Sequence, residues 1–247
     1  VKIFKILRKT FGKEIVDISD ICSVQRMIKE PTEISNIIKA CKITDNIFKE
    51  LLSNFSFKTE KELKDFLLNK IKNYSCLPSF EPIVASAPDS SLPHYNGFAN
   101  IKKGFLVLDF GVRYMEYCSD MTRTIYIGKP SREERKNYAL VLKILTECEK
   151  MTKAKTFSEM NNMAIKTFGH QSKYFIHSLG HGVGLDIHEI PGINQEDKTK
   201  LQENIVFTIE PGLYFARRYG IRIEDTVLYQ NEKISSLTKS NKDLITI

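Results

Sequence analysis

The sequence predicts a mixed α/β (α+β) fold, one domain made of two related halves packed around a shared sheet. Three observations carry this. The order helix, helix, strand, strand occurs twice within 247 residues, at an offset of roughly 100, and a solenoid would need more copies. Each pair of strand-like runs carries acids at matching places, Asp109 and Asp120 in the first and Glu210 and Glu224 in the second. An apolar fraction of 42% over this length can bury a substantial core, which argues against a disordered or fibrous chain.

The elements follow in order. The opening stretch VKIFKILRKTFGKEIVDIS breaks its apolar residues with lysines at helical spacing, so it does not read as a secretory signal. The chain begins with Val1 rather than methionine, and a trimmed or longer parent is expected. Residues 32–53 place Ile34, Ile37, Ile38, Cys41, Phe48, Leu51 and Leu52 along one helical stripe. Thr59 and Glu62 have capping-box spacing and open a second helix through Tyr74. A loop rich in Pro, Ser and Asp spans 82–93, followed by strand-like runs at 104–112 and 117–128 with a hairpin connection between them.

The second half repeats the order. Ser131 with Glu134, and Thr156 with Glu159, cap two further helices. Then comes IHSLGHGVGLDIHEIPG, 176–192, which holds His177, His181 and His188. Taken alone these histidines are open to three readings: metal ligands, catalytic acids or satisfied core residues. Strand-like runs at 204–215 and 220–230 close the half.

Charge and cysteine usage narrow the function class. The net charge is +7, but lysine is scattered through every segment, which argues against nucleic-acid binding. The five cysteines, Cys22, Cys41, Cys76, Cys118 and Cys148, are far apart and never in C-x-x-C spacing. That points to neither a disulfide framework nor a zinc knuckle, and to a reducing compartment, the cytoplasm. No apolar run has membrane-spanning length.

The acids are the strongest signal. A buried, unpaired carboxylate costs several kcal/mol or takes up a proton. The bland alternative is four strand-end carboxylates facing water. Yet Asp109 to Glu210 is 101 positions and Asp120 to Glu224 is 104, so the acids occupy equivalent places in the two halves. Converging on one face they would repel unless cations lay between them. Two divalent metals with shared carboxylates and one histidine satisfy that requirement, and Mn²⁺, Co²⁺, Fe²⁺ and Zn²⁺ all suit such donors.

Together LVLDFG, CSDMTRT, the histidine stretch, FTIEPG and IRIEDT resemble the pita-bread-fold metallopeptidase family of methionine aminopeptidase, aminopeptidase P and prolidase, over roughly residues 25–240. The resemblance implies a pseudo-twofold antiparallel sheet flanked by helices, with a dinuclear metal site at its centre. By motif, Asp109 would bind one metal and His181 and Glu210 the other, with Asp120 and Glu224 bridging. His177 and His188 would stand where the family contacts substrate and transition state, as would His94 in SSLPHYNG. His170, outside the motifs, reads as a surface or helix-end residue.

His177 and Arg222, in GIRIED, resemble the Xaa-Pro branch rather than methionine aminopeptidase, which is the alternative. A non-catalytic peptidase-fold binding protein would have lost ligands, and none is lost. The resemblance therefore implies an Xaa-Pro aminopeptidase or dipeptidase acting on short peptides with proline second. Glu210 would shuttle protons, and His188 and His177 would stabilise the oxyanion. Two divalent ions per chain are expected, Mn²⁺ first, with Co²⁺, Zn²⁺ or Fe²⁺ as alternatives. A homodimer is also expected. Residues 1–24 would be a remnant of an N-terminal domain or a linker, and 25–247 the catalytic domain.

Overall fold

Three helices start where Ser or Thr stands three residues before Glu. Thr59, Ser131 and Thr156 each accept a hydrogen bond from the N–H of Glu62, Glu134 and Glu159, and each glutamate returns to the backbone of its cap. Two orphan donors are satisfied at each start, which is why these boundaries are sharp. The structure is a computed structural model, and it describes residues 2–11, 18–53, 55–151 and 156–247. Residues 12–17 of the opening stretch, and Val1, lie outside the described residues.

The chain runs through α1 (Lys2–Phe11), α2 (Ser19–Met27), α3 (Pro31–Ser53) and α4 (Glu60–Asn73) before the first strands. Helix α2 crosses position 24. In α3 the buried stripe passes through Ile34, Ile37, Cys41, Thr44, Phe48 and Leu51, alternating three- and four-residue steps. Ile38 falls one position beyond that stripe and is 43% exposed, against the expectation that it is buried.

Strands β1 (Leu77–Pro78) and β2 (Ile83–Ser86) follow, then β3 (Gly104–Phe110), β4 (Val112–Tyr114), β5 (Tyr117–Cys118) and β6 (Met121–Ile127). The segment 82–93, read from sequence as a loop, therefore contains a strand. Ile83, Val84, Ala85 and Ser86 pair with β3, and their apolar run is too short to stand out among the surrounding prolines and serines. The second half brings α5 (Arg132–Glu149), α6 (Phe157–Phe168), β7 (Gly180–Gly182), β8 (Glu189–Ile193), β9 (Ile205–Ile209), β10 (Gly212–Phe215), β11 (Tyr219–Arg222), β12 (Asp225–Gln230) and β13 (Lys233–Ser236). No described helix is long and apolar enough to cross a membrane.

The two halves share a plan. In the first, β3 pairs antiparallel with β6, and the chain between them leaves as the β4–β5 hairpin to join β1. In the second, β9 pairs antiparallel with β12, and the chain between them leaves as the β10–β11 hairpin. The sheets run β2-β3-β6 and β13-β12-β9-β7-β8. Helices α3 and α4 cover the first, packing Phe48 and Leu67 onto Leu106, Leu108 and Ile125. Helices α5 and α6 cover the second, packing Leu145 and Phe157 onto Phe207 and Ile209. Burying such side chains contributes about 1.5–3 kcal/mol each, and this clamps the sheets from outside.

The halves meet along β6 and the segment 222–226. Thr226 Oγ1 accepts from the Asp120 N–H (3.1 Å) and donates to its carbonyl (2.7 Å). Thr124 does the same for Arg222, and the Glu224 N–H donates to the Thr122 carbonyl (3.0 Å). Threonine side chains thus continue the ladder where strands do not.

Candidate metal centre

That seam positions the acids. Asp109 lies within β3, opposite Thr122 on β6. The other three stand at strand breaks rather than inside strands as the sequence suggested. Strand β9 stops at Ile209 because Pro211 has no N–H for a ladder. The peptides of Asp120 and Glu224 bond across the seam instead of along a sheet, and this turns both carboxylates into the space between the halves.

The structure brings Asp109, Asp120, His177, His181, His188, Glu210, Arg222 and Glu224 around one cavity of about 530 Å³, with His94 at its rim. Ligand atoms of Asp120, His181 and Glu224 all lie within 4.8 Å of one another. His181 Nε2 is 3.5 Å from Asp120 Oδ2 and 3.5 Å from Glu210 Oε1. Its tautomer is fixed by the other nitrogen, since Nδ1–H donates to the Gly182 carbonyl (3.1 Å). Burial lowers its pKa to about 4, so the ring is neutral at pH 7. A nitrogen lone pair therefore faces two carboxylate oxygens, an arrangement that either a proton on a carboxyl or a cation between the three groups satisfies.

The carboxylates say the same. Oδ1 of Asp109 and Oδ1 of Asp120 are buried without a hydrogen-bond partner. Burial, then the neighbouring carboxylates, raises Asp120 and Glu224 well above the ordinary range, and burial with Asp109 nearby lifts Glu210 to about 7. Neutral donors supply only part of the compensation. Thr122 Oγ1 donates to Glu224 (2.6 Å) and Thr208 Oγ1 to Glu210 (3.3 Å). The donor set, oxygen-rich with one neutral imidazole, fits divalent cations.

Among the described residues, Arg222 is the one arginine or lysine side chain lining the cavity. Burial opposes its charge, but Tyr214, Asp109, Glu210 and Glu224 hold it protonated. Nη2 donates to Asp109 Oδ2 (2.6 Å), Nε to Thr122 (3.0 Å) and Nη1 to Tyr214 OH (2.7 Å). Tyr214 OH in turn donates to His177 Nε2 (2.9 Å), while His177 Nδ1–H donates to the Ser178 carbonyl (2.7 Å). Both ring nitrogens of His177 are taken, so the oxyanion-donor role expected for it has no free N–H here. His188 is different, because its ring lies in edge contact with that of His181 at 4.3 Å between centroids and faces the cavity.

His94 is exposed, on a loop that buried Glu60 anchors by accepting from the N–H groups of Ala99 (2.7 Å) and Ser86 (2.8 Å). His170 is exposed and does not line the cavity. Sequence reasoning missed Tyr214. The available signal was glycine, since Tyr214 pairs with Gly220, where a Cβ would lie 2.8 Å from the tyrosine ring and 2.0 Å from the Ser90 carbonyl.

A proton count follows. The metal-free site carries protons toward neutral pH, and cations must displace them. Affinity for Mn²⁺ should therefore fall between pH 8 and pH 5, by about tenfold per pH unit for each proton displaced. Calorimetry in two buffers of different ionisation enthalpy reads the protons directly, and binding that releases none rules out this carboxylate site.

Comparison with known proteins adds a second line. The sequence model of metallopeptidase family M24 matches residues 35–231. The Xaa-Pro dipeptidase of Pyrococcus furiosus is 40% identical over 249 residues, covering 96% of this chain and 70% of its own. Among solved structures, prolidase from Thermococcus sibiricus superposes with a TM-score of 0.94 at 36% identity, over 100% of this chain and 70% of that one. The X-Pro aminopeptidase of Thermotoga maritima gives 0.91 at 32% identity, over 100% and 72%.

Proposed function

This chain belongs to metallopeptidase family M24, and from that premise we propose that it hydrolyses the bond between an N-terminal residue and a following proline, in short peptides. The observation that carries the reading is the bare His181 Nε2 facing Asp120 and Glu210. The Xaa-Pro assignment draws on the named relatives and on the Arg222–Tyr214–His177 chain of hydrogen bonds, whose two ends line the cavity.

Asp109, Asp120, His181, Glu210 and Glu224 would hold two divalent ions, Mn²⁺ first, with Asp120 and Glu224 shared. Bound there, the metal supplies Lewis acidity and lowers the pKa of water. Glu210 carries the proton between water and leaving group. That transfer is required, because the nitrogen of an Xaa-Pro bond has no hydrogen and leaves only once protonated. His188 donates to the oxygen that gains charge. His94 and His177 contact the substrate, His177 as a neutral ring fixed by Tyr214 and held near a pKa of 4 by burial and Arg222. Arg222 holds Asp109 in place through Nη2. We assign catalysis to residues 25–247, with 1–24 as linker or remnant. Five free cysteines suit a reducing cytoplasm.

With Mn²⁺ added, Ala-Pro and Ala-Pro-Ala should exceed Ala-Ala in kcat/KM by roughly tenfold to a hundredfold. A site shaped for proline leaves the extra N–H of Xaa-Ala unpaired, at about 1–3 kcal/mol. A preference for Met-Ala-Ser moves the chain to the methionine aminopeptidase branch.

A further inference from the structure

We propose that Glu189 is a positioning residue for His188, and that Arg26 and Lys29 tie the C-terminal end of α2 and the segment after it to that positioning. The proposal rests on the assignment of His188 given above.

Glu189 follows His188 directly and opens β8, with a side chain only 6% exposed. Oε2 accepts from Lys29 Nζ (2.8 Å), while Oε1 accepts from the Asp186 N–H (3.2 Å) and from Arg26 Nη2. Lys29 is itself sealed, its side chain 1% exposed. Its remaining donors go to the carbonyls of Arg26 (2.7 Å) and Met27 (3.4 Å), at the C-terminal end of α2. The ammonium therefore has every proton directed, toward α2 on one side and Glu189 on the other.

The carboxylate also closes the loop that carries His188. A Cβ at Gly184 would stand 2.5 Å from Glu189 Oε2, so the carboxylate lies directly on that glycine. Gly182 pairs with Glu189 across β7 and β8, leaving 183–188 as the excursion between them. His188 makes no side-chain hydrogen bond among the described residues, only the edge contact with His181. Its direction into the cavity is set by its backbone, and the adjoining backbone is set by Glu189. A purely structural clamp here could be apolar, since packed hydrophobic residues often replace a buried ion pair at no cost in stability. What charge-assisted bonds add is direction.

The test is a double-mutant cycle on Ala-Pro with added Mn²⁺. Glu189→Gln should lower kcat by about tenfold to a hundredfold, the scale of an ångström-sized misplacement, with KM and metal content unchanged. In a His188→Ala background the same change should cost no more than about twofold, because the two act through one group. An equal fall in both backgrounds, or loss of bound metal, overturns the proposal. Arg26→Gln, which removes only the outer partner, should give a smaller fall with the same dependence on His188, and serves if Glu189→Gln does not fold. A readout independent of turnover is amide hydrogen exchange. Glu189→Gln should quicken exchange over 183–189 while β9 and β12 keep their protection. Unchanged exchange overturns the proposal even if the enzyme is active. Quickened exchange in a protein whose wild type cleaves no Xaa-Pro substrate supports the tether and places the failure with the Xaa-Pro reading.

Discussion

Asp120→Ala and Glu224→Ala should each lose bound metal and at least about 10³-fold in kcat/KM on Ala-Pro, since metal stabilisation of charge is worth several kcal/mol. Both acids sit at the seam with a buried carboxylate and like-charged neighbours, so either loss breaks the cation site from both halves. Asp120→Asn separates the metal from the fold. The acids have folded-state pKa values raised above their unfolded ones, so their contribution to metal-free stability is present at low pH and lost as pH rises. For Glu210 that window runs from about 4.5 to about 7. In EDTA at pH 8, Asp120→Asn should therefore melt above the wild type, and the gap should close toward pH 5. Added Mn²⁺ should reverse the ranking. Elemental analysis with thermal unfolding reads both, and a fully metallated but inactive Asp120→Asn would remove Asp120 from the ligands.

Arg222→Met should be the most destabilising change in the site. It breaks a buried pair and strands Asp109, a type of loss worth about 3–5 kcal/mol. At roughly 2–4 °C per kcal/mol for a domain of this size, the melting temperature in EDTA should fall by about 6–20 °C. Activity should fall as well, since Tyr214 loses its donor and His177 its fixed orientation. Arg222→Lys should not restore it, because one ammonium cannot serve Asp109, Thr122 and Tyr214 with a planar fork. A melting temperature within about 2 °C of wild type would show that Asp109 finds another partner.

What the sequence displayed, and what it hid, follow from the range of the forces involved. Capping boxes at Thr59, Ser131 and Thr156 are local, so three residues suffice to read them. The acids were legible because charge in an apolar run is costly, and because two halves repeat the cost in register. Strand breaks at Asp120 and beside Arg222 were not, since they depend on threonines 106 and 98 residues away that replace the ladder, whereas the break at Glu210 follows from the neighbouring Pro211. Tyr214 looks like any aromatic strand residue until Arg222 and His177 are placed on either side of its hydroxyl. The Lys29–Glu189 pair spans 160 residues and carries no local pattern. Ile38 failed for the opposite reason, because a helical stripe seen in sequence is wider than the one a neighbour covers.

The threonine-bridged seam also governs when the site can exist. Its bonds close loops of about a hundred residues, and that entropy must be met before such contacts give any return. Each antiparallel pair, β3 with β6 and β9 with β12, is comparatively local and can form first. The cation site is thus expected to be completed late in folding. A divalent ion should then do little to speed refolding and should instead slow the separation of the halves, so that the metal proposed for the chemistry would also lengthen the lifetime of the native state.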